Sequence, residues 1–264
     1  MKDSKNSPSS QVPAYHNESF LDSDDARPLR ILAEYLEPLD RLRNERVHDT
    51  IVFFGSARLR PDGPLGHYYK DARELAKKLT EWSQTLSGDR RFVVCSGGGG
   101  GIMEAANRGA AEAGGRTIGF NIGLPHEQRP NPYITPSLLF EFHYFFMRKL
   151  WFSHLARALV VFPGGFGTLD ELMETLTLAQ TRKLDRDVVI LLYGSSYWKE
   201  IINLEALARH GMIDQKDLGL FHYVNDVQSA FDLLKNRLPV TNGATTPAIA
   251  KSKVSSAAKK RVQS

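Results

Sequence analysis

The 264-residue chain has a single cysteine, Cys95. Intrachain disulfides are therefore excluded, and a cysteine metal cluster is not expected. Cys95 follows Val93-Val94 at the end of an apolar run, where a free thiol is ordinarily a buried side chain and not a nucleophile. No run of about 18 apolar residues occurs, and Met1-Lys2-Asp3-Ser4-Lys5-Asn6 leads into no apolar segment, so the chain reads as soluble, cytoplasmic and without a membrane partner. Its glycine-rich stretches are not followed by Gly-Lys-Ser or Gly-Lys-Thr, which argues against a Walker-type nucleoside triphosphatase. Neither His143 nor His154 stands in a His-x-x-x-His or Glu-x-x-His pairing; both read as structural, and no metal is expected. A basic surface is missing as well. The formal charge is +4, but Lys251, Lys253, Lys259, Lys260 and Arg261 lie in the last stretch, and the remainder sits at about −1. The tail reads as a solvated extension, and nucleic acid is not an expected partner.

What is present is a regular alternation between two poor ends. Residues 1–27 are rich in Ser, Asn, Asp and Pro, and residues 239–264 in Ala, Thr, Ser and Lys; both are expected to be disordered. Between them, residues 28–46 place Leu29, Ile31, Leu32, Tyr35, Leu36, Leu39 and Leu42 at helical spacing. Apolar, β-rich runs at 50–54, 91–95, 117–122, 138–142, 158–162 and 187–192 alternate with helical patterns at 68–86, 102–114, 145–156 and 197–209. A further helix begins with Asp170 and Glu171, and a short strand and closing helix lie within 221–234. Such alternation predicts an α/β fold: a doubly wound, Rossmann-like parallel sheet in three layers, in one domain over 28–238, with no internal repeat.

In such a sheet ligands collect beyond the carboxyl ends of the strands. Three loops occupy that position: Gly55-Ser56-Ala57-Arg58, the run from Ser96 through Gly97 and Gly98 to Gly101, and Pro163-Gly164-Gly165-Phe166-Gly167-Thr168. Each alone is equally well a tight turn with close helix packing. Together they favour a phosphate-bearing ligand held by backbone N–H groups at a helix start. The dinucleotide fingerprint fits poorly, because Ile118-Gly119-Phe120-Asn121 stands where a ribose-binding acid is needed, so a mononucleotide or sugar phosphate is favoured over NAD.

The stretch Pro163-Gly164-Gly165-Phe166-Gly167-Thr168-Leu169-Asp170-Glu171 matches a PGGxGTxxE motif, and Met147-Arg148-Lys149 stands a short helix upstream. With Ser96-Gly97-Gly98-Gly99-Gly100-Gly101-Ile102-Met103, these elements resemble the Lonely Guy (LOG) family of cytokinin-activating phosphoribohydrolases over residues 50–238. Those proteins were long labelled lysine decarboxylases. The resemblance implies hydrolysis of the N-glycosidic bond of a nucleoside 5′-monophosphate, AMP or a cytokinin ribotide, by a homodimer or larger homo-oligomer without metal or cofactor. It implies Arg148 and Glu171 as the catalytic pair. Gly164, Gly165, Gly167 and Thr168 would hold the phosphate, while Ser56, Gly97, Gly98, Met147, Lys149, Asp170 and Glu174 would line the site. The chain departs from the plant members at Asp170, commonly Glu there, in its long leading helix, and in Pro125-His126-Glu127-Gln128-Arg129-Pro130-Asn131-Pro132.

The chemistry of the residues agrees. Breaking a ribosyl–base bond passes through an oxocarbenium-like ribose, which a carboxylate near C1′ stabilises while it orients water; a cation such as Arg148 stabilises the leaving base. Other readings stay open. Thr168-Leu169-Asp170-Glu171 also fits a capping box, with Glu171 bonded to a backbone N–H. Glu174 shares the Glu171 face as a supporting carboxylate or a surface charge. Phe140, Phe142, Tyr144, Phe145, Phe146, Trp151 and Phe152 form a core or face another subunit. The rival function is a nucleotide sensor or carrier without turnover. A true decarboxylase needs a Schiff-base lysine, and no lysine stands out.

Overall fold

The computed structural model describes residues 12–86, 90–123, 129–184 and 186–239. The basic tail from residue 240 onward and Pro125-His126-Glu127-Gln128 lie outside the described residues. In chain order the elements are α1 (Glu18–Leu21), α2 (Arg27–Asn44), β1 (Thr50–Phe54), α3 (Gly66–Gln84), β2 (Val93–Ser96), α4 (Ile102–Glu112), β3 (Thr117–Ile122) and β4 (Leu139–Phe142). They continue as α5 (Phe145–Leu155), β5 (Ala156–Val161), α6 (Phe166–Gln180), β6 (Val189–Tyr193), α7 (Ser195–Ile201), α8 (Leu204–Arg209), β7 (Phe221–Val224) and α9 (Val227–Arg237).

The strands form one seven-stranded sheet in the order β4-β3-β2-β1-β5-β6-β7, and every pairing is parallel. Successive side chains on a strand point to opposite faces, so an apolar run fills two cores at once. On β1, Val52 and Phe54 join Trp151 and Phe152 of α5, Leu172 of α6 and Trp198 of α7. Ile51 and Phe53 join Leu75 of α3, Ala105 of α4 and Leu234 of α9 on the other face. The result is the expected three-layer, Rossmann-like α/β architecture. Cys95 is buried, and burial pushes its thiol well up despite the opposing charge of Arg148, so it stays neutral.

The chain steps outward from β1 to β4, then returns to lay β5 against the other side of β1. The strand order therefore reverses between β1 and β5, and a crevice opens beyond their carboxyl ends. Among the described residues no helix is long and apolar enough to cross a membrane.

Several boundaries differ from the sequence expectation. Residues 12–26, expected to be without structure, carry α1 and two 3₁₀ turns, Ala14–His16 and Asp24–Ala26. Local polar contacts hold them: Asn17 Oδ1 accepts from the Phe20 N–H, and the Arg30 guanidinium donates to the carbonyls of Leu21 and Ser23. The helix expected over 197–209 is two, because Asn203 breaks it and caps α8 by accepting from the Ala206 N–H at 2.9 Å. On α2 only part of the apolar set faces inward: Ile31, Tyr35, Leu39 and Leu42 pack on the core, while Leu29, Leu32 and Leu36 are exposed.

Candidate active site

The three strand-end loops meet at the switch point. The Ser56 N–H donates to the Pro163 carbonyl at 3.0 Å, and the Ile102 N–H donates to the Ser56 carbonyl at 3.1 Å. The loop after β1 thus joins the starts of α4 and α6. The Ser56 hydroxyl accepts from the Arg58 N–H, which holds its own turn and leaves the O–H proton available.

Helix α6 begins at Phe166, four residues earlier than the sequence suggested, with Gly165 as N-cap. No side chain caps it and no acid stands in its first turn, so its leading N–H groups and positive dipole end face the crevice. The capping-box reading is overturned: Thr168 already lies inside the helix and Glu171 in its second turn. A Cβ on Gly164 would collide with the Thr168 hydroxyl, and the Gly164 carbonyl accepts from the Tyr197 hydroxyl at 2.7 Å. A Cβ on Gly165 or Gly167 would meet nothing within 4 Å. That open space is where an anion can approach the backbone. Phe166, between those glycines, is 93% exposed.

One turn beyond Thr168, Glu171 is only 7% exposed. Burial raises its carboxyl pKa to about 7; the charges of Arg148 and Lys149 oppose the rise, and Glu174 and Asp170 add to it. Arg148, on α5, reaches over the top of the sheet: a Cβ on Gly97 would lie 3.8 Å from one of its terminal nitrogens and 2.8 Å from Met103 Sδ. Its guanidinium stands 5.3 Å from the Phe152 ring centroid and 5.8 Å from that of Phe145, and its Nε is buried without a hydrogen-bond partner. Burial lowers the Arg148 pKa from its ordinary value, with Glu171, Cys95 and Glu141 opposing. A desolvated guanidinium and a desolvated carboxyl, coupled through charge, form the centre of the crevice.

The neighbours are arranged differently from the expectation. Lys149 donates to Asp170 and to Glu174, each at 2.7 Å, so these three expected lining residues are engaged with one another and tie α5 to α6. Burial pulls Lys149 down, but the hydrogen bonds to the two acids outweigh it and leave the ammonium raised. Met147 is buried in the core beneath the crevice. Of the aromatic cluster, Phe140, Phe142, Tyr144, Trp151 and Phe152 are core, whereas Phe145 and Phe146 are exposed. The His143 backbone N–H bonds to Glu34, and the His154 ring stacks edge-on against Trp151.

The run of residues 96–101 forms the second wall, and here sequence reasoning missed the supporting side chains. Ser96 Oγ donates to Asn107 Oδ1 at 2.6 Å and accepts from the Gly98 N–H at 3.0 Å. Asn131 Nδ2 reaches the carbonyls of Gly98 and Gly99 and Asn107 Oδ1, while Asn107 Nδ2 donates to Thr117 Oγ1 and to the Ile118 carbonyl. Asn107 was detectable in principle, since an asparagine amid alanines in a helix calls for a partner. Asn131 had only its place between two prolines. A cavity of about 390 Å³ lies elsewhere, lined by Thr80, Gln84, Arg90 and Phe92, and its Arg90 and Arg91 are paired with Glu45 and Asp49.

The family described as possible lysine decarboxylase matches residues 103–234, which include Arg148, the glycine turn and Glu171. The chain belongs to this family, the LOG family. Its curated relatives include the rice (Oryza sativa subsp. japonica) cytokinin riboside 5′-monophosphate phosphoribohydrolase LOG, 31% identical over 140 residues that make up 52% of each chain. A second rice relative, the probable phosphoribohydrolase LOGL5, is 27% identical over 64% of this chain and 63% of its own. The Arabidopsis thaliana enzyme LOG5 is 26% identical over 62% of this chain and 72% of its own. The matched part thus spans about half to two thirds of the rice relatives. The crystal structure of TM1055, at 21% identity, superposes with a TM-score of 0.51 over 71% of this chain and 99% of its own, a likeness of fold. In this LOG-family chain the PGGxGTxxE segment is the turn from β5 into α6, and the Arg-Lys pair sits on the helix that leads into β5.

Proposed function

We propose that the protein is an enzyme that hydrolyses the N-glycosidic bond of a nucleoside 5′-monophosphate, releasing free base and ribose 5-phosphate. The observation that supports this most is the pairing of an uncapped α6 N-terminus with the buried Glu171 carboxyl one turn later. The 5′-phosphate docks on the N–H groups from Gly165 to Thr168, which sets the ribose over Glu171. As the C1′–N bond breaks, its electron pair leaves with the base, and the Glu171 carboxylate faces the positive charge that grows on the ribose. Water adds to C1′, its proton passes to Glu171 and from there to the base, and Arg148 stabilises the departing anion. A carboxyl poised near pH 7 suits both steps.

A Schiff-base role for Lys149 is disfavoured, because its two carboxylate partners hold it as ammonium, and the ammonium is not nucleophilic. Exposed Phe145, Phe146, Leu150 and Phe166 flank the crevice and support a homodimer or larger assembly in which a second copy covers this rim. The test is incubation with AMP and a panel of other monophosphates, cytokinin ribotides included, with chromatography for free base. Base release that disappears in Glu171→Gln supports the reading. Tight binding across the panel without free base assigns the site to a nucleotide sensor or carrier instead.

A further inference from the structure

Helix α5 carries Arg148 and Lys149, yet no side chain of its own caps it, its N-cap being Tyr144. The partner it does have comes from far away in the chain. Glu34, in the middle of α2, accepts from the His143 N–H through Oε1 at 2.7 Å and from the Tyr144 N–H through Oε2 at 3.2 Å. The backbone carbonyl of the same residue accepts from the Trp151 indole N–H at 2.9 Å. One residue of α2 therefore holds α5 at its entry and again two turns further on. Two such contacts on one helix fix both its position along its axis and its rotation. The carboxylate also faces the positive end of the α5 dipole.

The rest of α2 reinforces the grip. Tyr35 packs on Trp151 with ring centroids 5.8 Å apart, Arg41 donates to the Leu139 carbonyl at 2.7 Å, and the Arg27 guanidinium stands 5.6 Å from the Tyr144 ring centroid. On α5 itself the Arg148 Nε is without a hydrogen-bond partner. The rings of Phe145 and Phe152 and the charges of Glu171 and Glu141 act on the Arg148 guanidinium. A side chain so held moves wherever its helix moves.

We infer that Glu34 is a positioning residue: its carboxylate, bonded to the His143 and Tyr144 N–H groups at the entry of α5, sets the register in which Arg148 faces Glu171, while its main-chain carbonyl, which a side-chain substitution keeps, holds Trp151 two turns further on. The inference rests on the proposed roles of Arg148 and Glu171, and α2 thereby becomes part of the site's support. The groups that face Glu171 are Arg148 and Lys149 from α5 and Asp170 and Glu174 from its own helix, while Glu141 of β4 and Cys95 of β2 act on Arg148. A displaced α5 changes the first two together.

The experiment compares wild type, Glu34→Gln and Glu34→Ala after folding is checked by thermal unfolding. The glutamine keeps one acceptor oxygen and guards against a misfolded alanine variant. Two quantities are read: kcat and KM for AMP, and the titration of Glu171 followed by carboxyl-carbon NMR, with the signal assigned by its loss in Glu171→Gln. In Glu34→Ala, kcat falls by roughly 10- to 100-fold, as expected for misplaced catalytic groups, with KM changed by less than about threefold. The Glu171 midpoint departs from about 7 by roughly half a unit or more. Glu34→Gln lies between. If the alanine and glutamine variants only melt at lower temperature, while kcat or the Glu171 midpoint stays at its wild-type value, Glu34 is a structural anchor and the inference fails. If the wild-type protein releases base from no monophosphate, the proposed reaction fails separately, and the titration alone decides whether Glu34 positions Arg148.

Discussion

The two glycine-rich turns at the switch point look alike in sequence and do different work. The run before α4 is closed on itself: Gly98 and Gly101 adopt φ of +76° and +62°, a Cβ on Gly101 would collide with the Ser56 carbonyl, and Asn131 takes the carbonyls of Gly98 and Gly99. The turn into α6 is open: a Cβ on Gly165, its N-cap, or on Gly167, in its first turn, would meet nothing within 4 Å, the helix start has no side-chain cap, and a buried carboxyl follows one turn later. Glycine in the first turn serves the chain's own packing; in the second it leaves room for something else. The longer run is the wall of the site, and the shorter turn is the cradle.

The largest expected effect falls on the cradle. Glu171→Gln lowers the rate of base release by about 10²- to 10⁴-fold, the usual worth of a general base. Because the proposed reaction needs the carboxylate, wild-type kcat/KM is expected to rise with pH through about 7, and this limb to be absent from the residual activity of the variant. The same substitution changes stability. The folded carboxyl titrates near 7 and the unfolded one near 4.5, so between those values the folded state binds more protons and wild-type stability declines as pH rises. Glu171→Gln is therefore more stable than wild type at pH 8, by up to about 3 kcal/mol, and shows no such gain at pH 4.5. Denaturant unfolding at the two pH values measures this, and an equal effect at both would show that Glu171 is not desolvated as described.

The walls are tested by stability. Gly101→Ala places a Cβ in a conformation that only glycine adopts easily and against the Ser56 carbonyl, at a cost of about 3 to 5 kcal/mol. A melting temperature lower by roughly 10 °C is the expected reading in calorimetry. Asn131→Ala removes the side-chain donor to the buried Gly99 carbonyl, while the Gly98 carbonyl keeps the Asn131 backbone N–H, and costs about 1 to 3 kcal/mol. The smallest effect separates the two turns most cleanly. Gly165 has φ −93° and open space around it, so Gly165→Ala leaves the melting temperature near wild type. Under the proposed function its methyl group would meet the incoming phosphate, and the expected result is a KM for AMP about tenfold higher, a loss of about 1.4 kcal/mol. If Gly165→Ala instead destabilised the fold as much as Gly101→Ala, the distinction between wall and cradle would be lost.

Much of the fold was legible because the central strands are continuous apolar runs, as at Thr50-Ile51-Val52-Phe53-Phe54, and the longer helices show their own period. The meeting of three loops beyond the strand ends was legible because three glycine turns follow three apolar runs. The start of α6 was misread: Asp170 and Glu171 look like first-turn acids, but the backbone enters the helix at Phe166, and Glu171 is thereby turned inward. The break between α7 and α8 went unnoticed because one capping asparagine, Asn203, decides it. Lys149, Asp170 and Glu174 were expected to meet a ligand, and they meet each other across two helices.

The alternation of strands and helices, the parallel three-layer sheet and the chemical identity of the groups at its switch point follow from local period and residue type, which any stretch of the chain carries. How those groups behave depends on the folded chain. Glu171 has a carboxyl near pH 7 because folding removes its water. Arg148 faces it because α5 is held by Glu34, more than a hundred positions earlier in the chain. The five-glycine run became a wall because Asn131, well beyond it in the chain, holds the Gly98 and Gly99 carbonyls. Desolvation and long-range contact are properties of the assembled chain, and no window of sequence contains them.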